Sequence, residues 1–328
     1  MARVHILATG GTIAGQGATD TSSSYRPGSV MIEHLIDSVP GLGALAEVTG
    51  EQFAQMSSQD MTEFVWQALV NRVNKLFEAD AADGIVITHG TDTAEETGYF
   101  LHLTVKSARP VVLTGSMRPA TSLSADGPLN LYNAVSVAAD RDARDRGVML
   151  AINDDLHSAR DVTKSSTTDV QTFISPGPGL LGTARLGRIR YFRRPVRRHT
   201  NQSSFSAEGE RHWPRVDILY SHAGMHPDLV RSSVSLGARG LVVAGVGNGN
   251  VPGAVVNALA EAAKSGVVVV RATRVGSGDV ERGVELDDDA LGFVVADQLS
   301  PQKSRVLLQL CLAHELEGSA VQDAFFQY

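Results

Sequence analysis

The sequence predicts an α/β protein built of two units. From Gly84 onward, short runs rich in Val and Ile alternate with stretches of helix length. That rhythm marks parallel strands joined by crossover helices. A polar, Arg-rich stretch over residues 188–214, containing Asn201-Gln202-Ser203-Ser204, breaks the rhythm, which then resumes in a shorter second half. A chain of 328 residues is also about two domains long. The predicted division is an amino-terminal α/β domain over residues 1–194, a linker over 195–212 and a carboxyl-terminal α/β domain over 213–328.

The first element is the apolar run Val4-His5-Ile6-Leu7-Ala8, a buried strand that ends in Thr9-Gly10-Gly11-Thr12. Paired glycines allow close backbone approach. A threonine just past the strand presents its hydroxyl, although this stretch alone also fits a plain strand-to-loop turn. Residues 15–28 are rich in Gly, Ser and Thr with a lone Tyr25, the composition of a loop and a candidate lid over Thr12. A helix over 32–38, a strand over 47–55 and a turn at Met56-Ser57-Ser58-Gln59-Asp60 follow. Asp60 is expected to cap a helix over 61–79, whose Phe64, Leu69, Val73 and Leu76 fall near helical spacing.

The strand over 85–88 repeats the first design, ending in His89-Gly90-Thr91-Asp92-Thr93 before an acidic helix start at Glu95-Glu96. In a parallel sheet both tips lie on the carboxyl edge, where open α/β folds bind ligands. Thr12, Thr91 and Asp92 can converge there. Next come a helix over 94–105, a strand over 111–114, a helix over 129–139 and a strand over 148–153. The second half reads as strands over 216–220, 241–244 and 267–271 with helices over 228–236, 253–264 and 301–314.

Composition narrows the function. The chain is 43% apolar and 20% charged, ordinary for a globular protein, and its net charge is −7. Its only basic runs are the pairs Arg193-Arg194 and Arg197-Arg198, which argues against a nucleic-acid or anionic-membrane partner and for a small polar ligand. The single cysteine, Cys311, sits in an apolar helical run, reads as a small core residue and cannot form an internal disulfide. Gly177-Pro178-Gly179-Leu180-Leu181-Gly182 matches a dinucleotide fingerprint in letters, but its prolines deny it the flanking strand and helix. His222, His226 and Asp228 have ligand-like spacing, yet Pro227 interrupts the register and no Cys or further His is near. No metal or cofactor is expected. No apolar run reaches the roughly 20 residues of a membrane span. The amino terminus opens its first strand without a charged leader, so the expected location is cytoplasmic as the sequence stands, or periplasmic if Met1 replaces a removed signal.

Taken together, Ala8-Thr9-Gly10-Gly11-Thr12-Ile13-Ala14-Gly15, Ser58-Gln59-Asp60-Met61, Ile87-Thr88-His89-Gly90-Thr91-Asp92-Thr93, Met117-Arg118-Pro119, Ser124-Ala125-Asp126-Gly127-Pro128, Asn130-Leu131-Tyr132-Asn133, Arg160-Asp161-Val162-Thr163-Lys164, Gly245-Val246-Gly247-Asn248-Gly249-Asn250 and Pro301-Gln302-Lys303 occur in the order found in one family. The chain resembles, essentially end to end, the bacterial L-asparaginases of the type II group and their glutaminase-asparaginase relatives. That resemblance implies a flavodoxin-like sheet in the larger domain and hydrolysis of L-asparagine to L-aspartate and ammonia, without metal or cofactor. L-Glutamine is a second substrate in that reading, and comparable activity on both amides is its near alternative. The rival from another class is an amino-acid sensor that keeps the pocket without turnover.

The resemblance also implies roles. Thr12 matches the position that attacks the side-chain amide, and Thr91, Asp92 and Lys164 match a second group that assists proton movement. Ser58 and Gln59 match positions that hold the substrate α-carboxylate, and Asp92 one that takes the α-ammonium. Backbone N–H groups near Thr12 and Ser116 match the oxyanion hole, and Tyr25 matches a lid residue. Asn250 and Glu285 match residues that reach a neighbouring subunit's site in a homotetramer built as a dimer of dimers. Read without the family, Glu285 is a solvated charge in the acidic run 285–289. Some type II members carry a disulfide near Phe77 and Ser107, where this chain has no cysteines.

Overall fold

A computed structural model describes residues 1–17, 25–26, 30–209 and 212–328, apart from the side chains of residues 16, 17, 25 and 26. Most of the expected lid and the Tyr25 side chain therefore lie outside the described residues. The chain divides into two compact units, Met1–Ala207 and Glu208–Tyr328.

The first unit carries an eight-stranded sheet. Its parallel strands lie in the spatial order Glu47–Met56, Arg3–Gly10, Gly84–Thr88, Val111–Thr114, Val148–Ile152. In chain order this is 2-1-3-4-5, the flavodoxin-like arrangement. The last three of these strands are buried along their whole length, as expected where continuous apolar runs form central parallel strands. One face packs Ile6, Ala8, Val86, Val112 and Met149 against Ile32, Leu35, Leu131, Ala134 and Val135 from flanking helices.

Beyond Val148–Ile152 the sheet continues antiparallel through Asp155–Ser158, Gly182–Arg185 and Arg188–Tyr191. The sequence reading did not foresee these strands. They are four residues each, and Arg188–Tyr191 alternates exposed and half-buried positions, so it carries no apolar run. The first unit also keeps the segment after this edge: Lys106 Nζ donates to the Ser203 carbonyl at 2.6 Å and Gln67 Nε2 to that of Ala207 at 2.9 Å.

Two local expectations need correction. The helix runs Glu63–Glu78, and its cap is Thr62, whose hydroxyl accepts from the Val65 N–H at 3.4 Å. Asp60 instead ends the short turn Ser58–Asp60. Phe64 is 69% exposed, while Trp66, Leu69, Val70, Val73 and Leu76 are buried. At 100° per residue Phe64 lies roughly 140° from Leu69 around the helix, off the buried stripe.

The second unit is a four-stranded parallel sheet in the order Val216–Tyr220, Gly240–Gly245, Val268–Thr273, Phe293–Val295. The helices Asp228–Ser235, Gly253–Lys264, Pro301–Ala313 and Ser319–Gln327 belong to it. The short strand Phe293–Val295 and the last helix were not anticipated. Cys311 is fully buried in Pro301–Ala313, and burial pushes its thiol up to about 12. No helix among the described residues is long and apolar enough to cross a membrane.

Candidate active site

Strands Arg3–Gly10 and Gly84–Thr88 are parallel neighbours with Ala8 opposite Thr88. Their following loops leave the carboxyl edge side by side. One connection then leads toward Glu47–Met56 and the other toward Val111–Thr114, on opposite sides, so the loops open at the switch point of the sheet.

The two loops touch through glycine. Gly11 has φ of 81°, and a Cβ there would sit 2.4 Å from the Cα and N of Gly90. Only glycine permits both the conformation and the approach. A Cβ on Gly90 would in turn lie 2.6 Å from Ser58 Oγ, so Gly11, Gly90 and Ser58 are stacked in contact. Thr93 Oγ1 donates to the Ser58 carbonyl at 2.6 Å and ties down the turn that carries Ser58, buried, and Gln59, exposed. Thr12 opens the turn Thr12–Ala14 and is 8% exposed.

A third loop follows Val111–Thr114. Ser116 is buried and its hydroxyl donates to the Arg118 carbonyl at 2.8 Å. Asp126 accepts from the N–H groups of Met117 at 3.0 Å and Arg118 at 2.9 Å, and Asn130 Nδ2 donates to the Gly115 carbonyl at 3.0 Å. This loop lies against the other two: a Cβ on Gly115 would meet Thr91 Cγ2 at 3.3 Å, and one on Gly127 would meet Ile13 Cγ1 at 3.0 Å and Ser116 Cβ at 3.5 Å.

Lys164 arrives on a hairpin, Thr163–Lys164 paired antiparallel with Phe173–Ile174. Its Nζ donates to Thr91 Oγ1 at 2.9 Å and to Asp92 Oδ1 at 2.7 Å. An ammonium has three donors and no acceptor, so the Thr91 oxygen accepts here and its own proton remains for a second partner. The Lys164 side chain is 17% exposed and that of Asp92 is 63% exposed, which places the charged pair at the mouth of the site. The backbone N–H of Lys164 donates to the buried Glu95 carboxylate at 3.5 Å.

His89, the residue before Gly90, is fully buried, and its Nδ1 lies 2.7 Å from the Gly90 carbonyl. A carbonyl only accepts, so Nδ1 carries the hydrogen and the ring holds the peptide that touches Gly11. Burial lowers the imidazole from 6.5 to about 4. In the folded protein His89 therefore stays neutral through the window in which the unfolded chain takes up a proton. Stability contributed by the neutral ring is present above pH 6.5 and is lost as pH falls from 6.5 toward 4. Between pH 7 and pH 4.5 the expected loss is about 2 kcal/mol. Urea denaturation at pH 7 and pH 4.5 checks it against His89→Gln, whose loss should be smaller; identical losses would clear His89 of the effect.

The first unit thus brings together Thr12, Ser58, Gln59, Thr91, Asp92, Ser116 and Lys164 on loops at one sheet edge. Asn250 and Glu285 meet each other in the second unit, with Asn250 Nδ2 donating to Glu285 Oε2 at 2.5 Å. Among the described residues no group of three or more His, Cys, Asp or Glu is arranged to hold a metal ion. The sequence alone gives no role to Thr93, Glu95, Asp126 and Asn130, which hold the loops. Thr93, Asp126 and Asn130 lie within the motifs 87–93, 124–128 and 130–133, and Glu95 two positions beyond the first.

Two family models cover the chain. "Asparaginase, N-terminal" matches residues 3–197, and "Glutaminase/Asparaginase C-terminal domain" matches residues 215–325. The chain is 48% identical over 325 residues to L-asparaginase 2 of Escherichia coli (strain K12), covering 99% of this chain and 93% of that one. It is 43% identical over 330 residues to the glutaminase-asparaginase of Pseudomonas fluorescens biotype A, covering 100% and 91%. The crystal structure of a probable cytoplasmic L-asparaginase from Campylobacter jejuni superposes with a TM-score of 0.97 at 42% identity over 100% of both chains.

Proposed function

The chain belongs to the asparaginase/glutaminase family, and from that premise we propose that it hydrolyses L-asparagine to L-aspartate and ammonia through an ester on Thr12. The observation that carries the reading is the contact of Lys164 Nζ with Thr91 Oγ1 at 2.9 Å and Asp92 Oδ1 at 2.7 Å, one loop away from the Gly10-Gly11-Thr12 turn.

In this mechanism Thr12 Oγ attacks the side-chain amide carbon, its proton passes to the departing nitrogen, and ammonia leaves an acyl-threonine. Water then attacks the ester carbonyl. Thr91, its oxygen held by the Lys164 ammonium, relays a proton from that water to Thr12 Oγ1, so that release of L-aspartate restores the Thr12 hydroxyl. Backbone N–H groups beside Thr12 and Ser116 stabilise the oxyanion, where one donor is worth about 10² to 10³ in rate. Ser58 and Gln59 hold the α-carboxylate and Asp92 the α-ammonium, fixing the amino acid by both charged ends. Tyr25 closes over the site. Steady-state ammonia release with asparagine and glutamine in parallel tests the reading: kcat/KM should favour asparagine, with measurable glutamine turnover. No release from either amide would leave a sensor and sink the enzyme.

Asn250 and Glu285 complete a neighbouring subunit's pocket in a homotetramer assembled from two dimers. Isologous pairing makes that exchange reciprocal. A Thr12→Ala chain keeps its lending residues, and a Glu285→Ala chain keeps its nucleophile. Co-refolded in equal amounts, the two weak variants should recover activity well above their average, with up to about a quarter of all sites intact under random pairing. Mere averaging, with tagged hybrids shown to form, would place Glu285 in its own chain's site or in none. The proposed location is the cytoplasm, with the periplasm as its alternative, and fractionation of expressing cells decides between them.

A further inference from the structure

The acidic run that contains Glu285 conceals a buried charge. Asp288 is fully buried, and Arg271, on the strand Val268–Thr273, is 1% exposed. Arg271 Nε donates to Asp288 Oδ1 at 2.6 Å and Nη2 to Oδ2 at 2.8 Å, a bidentate pair. The guanidinium has further donors, and two of them go to loops. Nη1 donates to the Asn248 carbonyl at 3.0 Å and Nη2 to the Glu281 carbonyl at 3.2 Å. The Asp288 carboxylate also accepts from the Gly283 N–H at 2.9 Å, and Asn248 Oδ1 accepts from the Glu281 N–H at 2.8 Å.

These bonds join two segments, 246–250 and 281–288, that end in the Asn250–Glu285 contact. Gly249 has φ of 74°, and a Cβ there would fall 3.3 Å from Arg271 Nη1 and 3.1 Å from the Ala272 carbonyl, so the first loop is folded directly onto the guanidinium. We propose that Arg271 and Asp288 are positioning residues: their buried pair clamps the two loops together and sets Asn250 and Glu285 in register for substrate. This inference rests on the substrate role proposed above for Asn250 and Glu285. A pair that only stabilised the domain would need no donors aimed at both loops. A lysine in place of Arg271 keeps the charge but lacks the planar fork that bridges two loops and a carboxylate at once.

The test uses Arg271→Lys and the double variant Arg271→Met/Asp288→Leu. Removing both charges leaves no uncompensated buried ion, and such exchanges are often neutral in stability. In variants that melt near the parent, amide hydrogen exchange should quicken over 246–250 and 281–288. KM for asparagine should rise while kcat changes little, lowering kcat/KM by about tenfold to a hundredfold. The clamp variants should cost little more in a Glu285→Ala background, since their target is already gone. Parent-like exchange over both loops overturns the clamp, as does a parent-like KM when Glu285→Ala alone raises it. If Glu285→Ala alone leaves kcat/KM unchanged, the role proposed for Glu285 falls, while hydrogen exchange still judges the clamp on its own.

Discussion

Thr12→Ala is expected to lower turnover of asparagine by a factor on the order of 10³ or more, the scale seen when a covalent nucleophile is removed. The residue lies just past the Gly10-Gly11 turn and opens the turn Thr12–Ala14. Losing it removes the hydroxyl proposed to form the ester. The fold should stay intact, because the change deletes two small atoms at a site where the backbone is held by Gly11 against Gly90 and by the Gly15 N–H donating to the Thr12 carbonyl at 2.8 Å. A stability change under about 1 kcal/mol is anticipated. Ammonia release and a thermal melt, run on the same preparation, decide the matter. Activity within tenfold of the parent would sink the assignment of Thr12.

Lys164→Met should lower kcat by about 10² to 10⁴, the usual contribution of a positioned acid or base. Methionine keeps the length of the side chain and loses both contacts, to Thr91 Oγ1 at 2.9 Å and Asp92 Oδ1 at 2.7 Å. Thr91 then loses the ammonium that holds its oxygen for the proton relay. Asp92, 63% exposed at the site mouth, remains hydrated and free to receive the substrate ammonium, so KM should move far less than kcat. Exposure of Asp92 also keeps the stability cost small, since solvent screens a charge there. A rise in KM with kcat unchanged would reassign Lys164 to substrate holding.

Much of this is legible in the sequence alone. Apolar runs ending in Gly-Thr located both strand tips of the site, because central parallel strands must be apolar on both faces and their carboxyl-edge loops need glycine for close approach. The strand Val111–Thr114 and the helix Gly253–Lys264 have the limits read from periodicity. What escaped were elements without an apolar signal of their own. The edge strand Arg188–Tyr191 alternates arginines with Ile189 and Tyr191, and the hairpin that delivers Lys164 has only two residues on each side. Thr62 caps the helix in place of Asp60 because the helix begins two residues later than the turn residues suggested, at Glu63.

The sequence by itself determined the chemistry on offer: two threonines, an aspartate and a lysine in motifs whose order specifies a family, on strands that periodicity can find. Only the tertiary structure decided which groups meet. It brought Lys164 to Thr91 across 73 positions and stacked Gly11 on Gly90 and Ser58. It also split the acidic run 285–289, leaving Glu285 exposed and Asp288 fully buried. Nothing in a string of carboxylates distinguishes them. The cost of burying one of them is offset by Arg271, 17 positions earlier in the chain, and that partner is fixed only when the strand and both loops have folded together.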